Sequence, residues 1–133
     1  MGKAQSIPAA ERIKKRAARN LKEGSIAFDQ AYKTLNDQQR KAVDTIEGPV
    51  MVVAGPGTGK TQVVALRVAN ILRRTQLRPG NILCLTFSKS GATAMRERLR
   101  SLIGSDAYGV TIDTIHSFCN TIISQYPQVF EDW

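Results

Sequence analysis

The residues best suited to do chemistry are eight in succession: Ala54, Gly55, Pro56, Gly57, Thr58, Gly59, Lys60 and Thr61. They fit the phosphate-loop pattern G-x-x-x-x-G-K-[ST], with alanine in the first place. Glycines at 55, 57 and 59 open backbone conformations closed to other residues and let the chain approach a phosphate closely. The N–H groups of such a loop form an anion nest, completed by the positive end of the helix that follows. Lys60 can then set its ammonium against β- and γ-phosphates, and Thr61 can offer its hydroxyl to Mg²⁺. The expected chemistry is the binding of Mg²⁺–ATP, with 54–61 as the loop and Lys60 and Thr61 as its active pair. The bland alternative is a glycine-rich turn that happens to precede Lys-Thr. It is disfavoured by context, because a buried strand is expected before the loop and a helix after it.

Those flanking elements belong to a longer alternation. PVMVVA (49–54) is a continuous apolar, β-branched run, as for a strand buried on both faces. Lys60 to Arg74 reads as a helix. NILCLTF (81–87) reads as a second buried strand, followed by a helix from Ser90 to Ile103 with Ala94, Leu99 and Leu102 inward and Gly104 as its stop. VTIDT (110–114) is a third strand and 116–126 a further helix. Upstream, Asn36 is a good N-cap for a short helix with Asp37 in its first turn, Ala42, Val43 and Ile46 on its apolar face, and Gly48 beyond it. Residues 9–23 are helix-forming, with a thin stripe of Ala10, Ile13, Ala17, Ala18 and Leu21, and are expected to stop at Gly24. Strands alternating with helices through short loops predict an α/β fold, a parallel sheet with flanking helices.

With 133 residues there is room for one domain. Nineteen Lys and Arg against eleven Asp and Glu give a net charge of +8, which suits a polyanionic partner. Residues 1–25 carry seven basic and two acidic residues, +5 of that total. This arm is either a solvated basic extension or a contact to a DNA backbone or partner. Cys84 and Cys119 lie in apolar surroundings without a CxxC, and there is one histidine, so a zinc site is not expected and both thiols are expected to be buried and reduced in a cytoplasmic protein. No apolar run approaches the roughly 20 residues of a membrane span, and the basic start lacks the apolar stretch of a secretory signal.

Three further stretches carry a resemblance. LNDQQRKAV (35–43) ahead of GPVMVVAGPGTGKT (48–61) resembles the opening of the superfamily 1 DNA helicases of the UvrD/Rep/PcrA type, with Leu35, Asn36 and Gln39 in the matching places. ILCLTFSKSGATAMRERL (82–99) is similar to the family's Thr-Phe-Thr-Asn-Lys-Ala-Ala-x-x-Met stretch at Thr86, Phe87, Ser88, Ala92 and Met95. It departs at Lys89, Ser90 and Gly91, where the positive charge has moved by one place. TIDTIHSFC (111–119) resembles the family's Thr-Phe-His-Ser at Thr114, His116 and Ser117, with Ile115 replacing the aromatic. The set covers about residues 33–126 and leaves 1–32 as a basic N-terminal extension to an incomplete ATP-binding domain at 33–133.

The resemblance implies a RecA-like phosphate-loop fold, in which Gln39 reads the adenine edge with an amide that can donate and accept. It implies single-stranded DNA, and its junctions with duplex, along Phe87, Ser88, Lys89, Thr114 and His116, with the aromatic stacking on a base. By itself Phe87 would read as a core aromatic and His116 as a structural residue. ATP-driven translocation, 3′-to-5′ in the family, is implied in the same way, in repair, replication or recombination. Family members continue to an insertion domain, to a strand ending in Asp-Glu that orders Mg²⁺ and activates water, and to a second RecA-like domain. No apolar run followed by Asp-Glu occurs here, and Glu131 and Asp132 lie in a Pro-containing tail. The chain is therefore expected to be the front end of such a motor, without turnover alone. The alternatives are a self-contained nucleotide- or DNA-binding module and, less consistent with Gln39 and Thr86-Phe87-Ser88, a small kinase.

Overall fold

Helix α1 (Ala9–Lys33) is longer than the sequence predicts, and the reason lies in what it touches. The computed structural model describes residues 8–130, with side chains except at 9 and 12–22, so most of the apolar stripe of the first turns and the Glu131-Asp132 pair fall outside the described residues. The helix does not stop at Gly24. A Cβ there would lie 2.7 Å from the carbonyl oxygen of Leu102, so the glycine is where α1 crosses the end of another helix at backbone distance. Beyond it, Phe28 and Leu35 are buried, and Phe28 stacks on Tyr32 with ring centroids 5.8 Å apart.

Helix α2 (Asp37–Asp44) starts where expected. The Asn36 side chain accepts from the backbone N–H of Gln39, and the Gln39 side chain accepts from that of Asn36, so two orphan amides of the first turn are satisfied. The helix ends at Thr45, before Gly48. Helix α3 (Lys60–Arg74) buries Val63, Ala65, Leu66 and Ala69, and α4 (Lys89–Ile103) buries Met95, Leu99 and Leu102. Ala94 was expected inward but is exposed. Residues 95, 99 and 102 share one helical face, and 94 lies about a quarter-turn off it. Gly104 closes α4 at φ 63°.

Strands β1 (Leu83–Thr86) and β2 (Thr111–Thr114) pair in parallel, Leu83 opposite Thr111 and Thr86 opposite Thr114. Helix α5 (Ile115–Gln125) and the single turn α6 (Pro127–Phe130) complete the order. Cys84 and Ile112, paired across the sheet, point into the core, while Leu83 and Leu85 remain largely exposed. One face of the sheet is covered, not both as the apolar runs predict.

The largest departure is residues 49–54. They form no strand, and Met51 and Val53 are 88% and 90% exposed. Apolar, β-branched composition favours a strand only where a neighbour takes up its N–H and C=O groups. Among the described residues β1 and β2 pair with each other, and neither pairs with this segment. The described residues thus make a mostly helical assembly on a two-stranded parallel sheet, a part of the expected α/β layout. Cys119 is exposed rather than buried, because α5 buries none of its side chains. No helix among the described residues is long and apolar enough to cross a membrane.

Candidate nucleotide and nucleic-acid sites

The phosphate-loop residues lie between α2 and α3, and two glycines set their course. Gly57 and Gly59 have φ of 72° and 76°, in the left-handed region that favours glycine. Gly59 is the N-cap of α3, whose first backbone bond runs from Val63 N–H to the Gly59 carbonyl at 3.0 Å. The buried face of α3 fixes that helix, and so fixes the helix end toward which the loop turns.

The loop is bonded to itself. Lys60 Nζ donates to the carbonyls of Gly55 at 2.9 Å and Ala54 at 3.3 Å, and Thr58 Oγ1 donates to the Gly55 carbonyl at 2.6 Å. Pro56 sits exposed within the turn. Gln39 reaches across from α2: its Nε2 donates to the Thr58 carbonyl at 3.0 Å while its Oε1 accepts from Asn36 N–H. A cleft of about 770 Å³ opens here, lined by Gln39, Ala54, Thr58 and Lys60 together with the apolar 49–53 segment. That size is in the range of small-molecule pockets, roughly 300–1,000 Å³.

The Thr61 hydroxyl has no side-chain hydrogen bond among the described residues and is exposed beside Lys60, so it fits a single oxygen ligand to Mg²⁺. No group of three or more His, Cys, Asp or Glu among the described residues could hold a metal ion. The ion would therefore take most of its oxygens from phosphate and water, the usual habit of Mg²⁺ at a triphosphate.

The second set of predicted residues gathers at the carboxyl ends of the two strands. Because Thr86 pairs with Thr114, the chain leaves β1 through Phe87, Ser88 and Lys89 beside the point where it leaves β2 through Ile115 and His116. Ligands of open parallel sheets bind at such strand ends. Phe87 is 97% exposed, and Lys89 and His116 are exposed. Two hydroxyls are engaged in capping. Ser88 Oγ accepts from Gly91 N–H at 3.1 Å and caps α4, and Thr114 Oγ1 accepts from Ser117 N–H at 3.1 Å and caps α5. Thr114 is buried, so it holds the start of α5 in place rather than facing outward.

Several supporting residues escape the sequence reading. Arg67 of α3 donates to the carbonyls of Ala42 and Thr45, and buried Asn70 donates to Val43 at 3.0 Å, so α3 grips the carboxyl end of α2. Asp44 accepts from Tyr32 at 2.6 Å and from Arg74 at 3.3 Å, joining α1, α2 and α3. The bond to Asp44, with desolvation added, holds the Tyr32 phenol above its usual pKa, and burial pushes the Cys84 thiol up. The Asn36-x-x-Gln39 spacing was a usable signal for the capping box. Nothing local announces Arg67.

The family pattern described as the UvrD/REP helicase N-terminal domain matches residues 35–133. The chain belongs to this family. Among similar proteins, a probable DNA helicase II homolog of Rickettsia conorii is 47% identical over 90 residues, which is 68% of this chain and 14% of that protein. The ATP-dependent DNA helicase PcrA of Staphylococcus epidermidis is 40% identical over 91 residues, 68% of this chain and 12% of that protein. The chain thus spans about an eighth of the length of these UvrD/REP relatives. The resemblance read from the Gln39, Lys60 and Phe87 stretches is borne out at the level of the family.

Proposed function

We propose that this chain is the ATP-binding front end of an ATP-dependent DNA helicase, the N-terminal part of a RecA-like domain at 33–133 with a basic extension at 1–32. The observation that supports it best is the convergence of Gln39, Gly55, Thr58 and Lys60 on one cleft ahead of α3, in a loop turned by the left-handed Gly57 and Gly59. Loop 54–61 takes the phosphates of Mg²⁺–ATP, Lys60 neutralises the β- and γ-oxygens, Thr61 supplies an oxygen to the metal, and Gln39 reads adenine. Bound Mg²⁺ supplies charge neutralisation across the phosphates. Lys60 must leave the Gly55 and Ala54 carbonyls to do its work.

Single-stranded DNA lies along the strand ends, with Phe87 stacking on a base and Lys89 and His116 beside the backbone; the +8 charge favours that partner. Water activation and the arginines that meet the γ-phosphate come from the remainder of the helicase, so the 133 residues alone bind nucleotide without turnover, in the cytoplasm. Titration calorimetry with Mg²⁺–ADP and Mg²⁺–ATP tests the assignment. Lys60→Ala removes the charge-assisted contact and should abolish binding; equal heats from wild type and variant refute it.

A further inference from the structure

An unbroken set of hydrogen bonds runs from the amino end of α2 to the phosphate-loop lysine. Asn36 N–H donates to Gln39 Oε1, Gln39 Nε2 to the Thr58 carbonyl, Thr58 Oγ1 to the Gly55 carbonyl, and that carbonyl also accepts from Lys60 Nζ. Gln39 Nε2 also lies against Gly59, 3.9 Å from where a Cβ would stand, at the residue whose φ of 76° turns the loop into α3. One side chain on a separate helix thus holds Thr58 by its carbonyl and stands beside Gly59, where the loop turns into α3.

We propose that Gln39 is a positioning residue for the phosphate side of the site: through Thr58 it holds the loop in its anion-binding shape, independently of any base. The proposal rests on the nucleotide-site reading and deepens it. The chemistry of the amide permits both duties. Its oxygen has a second lone pair and its nitrogen a second hydrogen, so an adenine edge can be met while Asn36 and Thr58 are still held. Preorganisation is worth having here. A loop free to collapse must be ordered at the moment of binding, and that cost comes out of the affinity. The carbonyls of Gly55 and Thr58 are turned to Thr58 Oγ1 and Gln39, bonds that remain when Lys60 leaves for the phosphates and that oppose their turning into the nest to repel an anion.

Inorganic tripolyphosphate with Mg²⁺ separates the two duties, because it has no base to read. Its affinity for the 133-residue chain is measured by calorimetry beside that of ATP. Gln39→Met keeps the length of the side chain and removes the donor. It should weaken tripolyphosphate about fivefold, the factor that corresponds to about 1 kcal/mol for one neutral hydrogen bond, and weaken ATP by at least as much. Gln39→Ala should act in the same direction. Tyr32→Phe removes the bond to Asp44 at the far end of α2 and leaves Asn36, Gln39 and Thr58 as they are, and should leave tripolyphosphate affinity within twofold while lowering the melting temperature. Unchanged tripolyphosphate binding in Gln39→Met, with ATP weakened, overturns the proposal and leaves Gln39 a reader of the base alone. An equal loss in Tyr32→Phe also overturns it, since general loosening of α2 would then explain the effect. Tripolyphosphate binding that is absent, or indifferent to Lys60→Ala, overturns the nucleotide-site reading itself.

Discussion

Gly24→Ala sets two effects of opposite sign against each other. Alanine is favoured over glycine in a helix interior by about 1 kcal/mol, so propensity alone makes the substitution stabilising. The structure says otherwise. The new Cβ would stand 2.7 Å from the Leu102 oxygen, 3.3 Å from the Leu102 carbonyl carbon and 3.6 Å from Ile103 Cα. All three are backbone atoms, so no rotamer relieves the clash, and α1 and the end of α4 must move apart. Overpacking of that kind costs about 1–3 kcal/mol. The balance is a net loss of about 1 kcal/mol. Urea unfolding followed by circular dichroism should show a lower midpoint at unchanged slope, with a melting temperature lower by roughly 3–6 °C. A variant more stable than wild type would mean that α1 does not cross α4 at backbone distance, and would restore the reading of Gly24 as a helix end.

Phe87→Ala should leave stability within about 0.5 kcal/mol, because the ring packs on nothing, and weaken single-stranded DNA by roughly 1–3 kcal/mol in a fluorescence-anisotropy titration; a large loss of stability would put the ring in the core. Under native conditions an alkylating reagent followed by mass spectrometry should modify exposed Cys119 quickly and Cys84 only at the rate of opening, since burial both shields that thiol and raises its pKa; equal rates refute the packing of β1. Tyr32→Phe should cost about 1 kcal/mol near pH 8 by loss of its bond to Asp44. The folded-state pKa of Tyr32 lies above its ordinary 10.0. Its contribution is therefore complete below about pH 10 and falls as the pH rises through the folded-state value. The gap between variant and wild type, read from urea midpoints, should close in that range, and a constant gap would contradict the bond.

How much of this was legible in the residues depends on how far each determinant reaches along the chain. Helices α2 to α4 were readable because their signals are local: the Asn36 cap of α2, the glycine loop ahead of Lys60, and the inward Leu99 and Leu102 with Gly104 beyond α4. The segment 49–54 was misread because its composition reports only how it packs when neighbours exist, and a strand is a property of pairs. Gly24 was misread for the related reason that glycine has two uses, an open φ and an absent Cβ. The sequence does not distinguish them. Gly104, at φ 63°, uses the first, and Gly24, against Leu102, uses the second.

The same rule divides the candidate sites. The phosphate loop is written within eight consecutive residues, so its pattern names Lys60 and Thr61 without knowledge of the fold. The Gln39–Thr58 bond spans nineteen residues and joins two segments brought together by the packing of α2 on α3, which Arg67 and Asn70 also fasten. At the strand ends the register is the determinant: Phe87 and His116 come to one edge because Thr86 sits opposite Thr114, and a slip of one residue would turn Cys84 out of the core. Thr114 shows what the structure adds to a motif residue read by type. Its hydroxyl suits a phosphate contact, and in this structure it accepts from the N–H of Ser117 and satisfies one of the orphan amides at the start of α5. Its part at this edge is thus to hold the start of α5, and with it the direction in which His116 leaves the sheet.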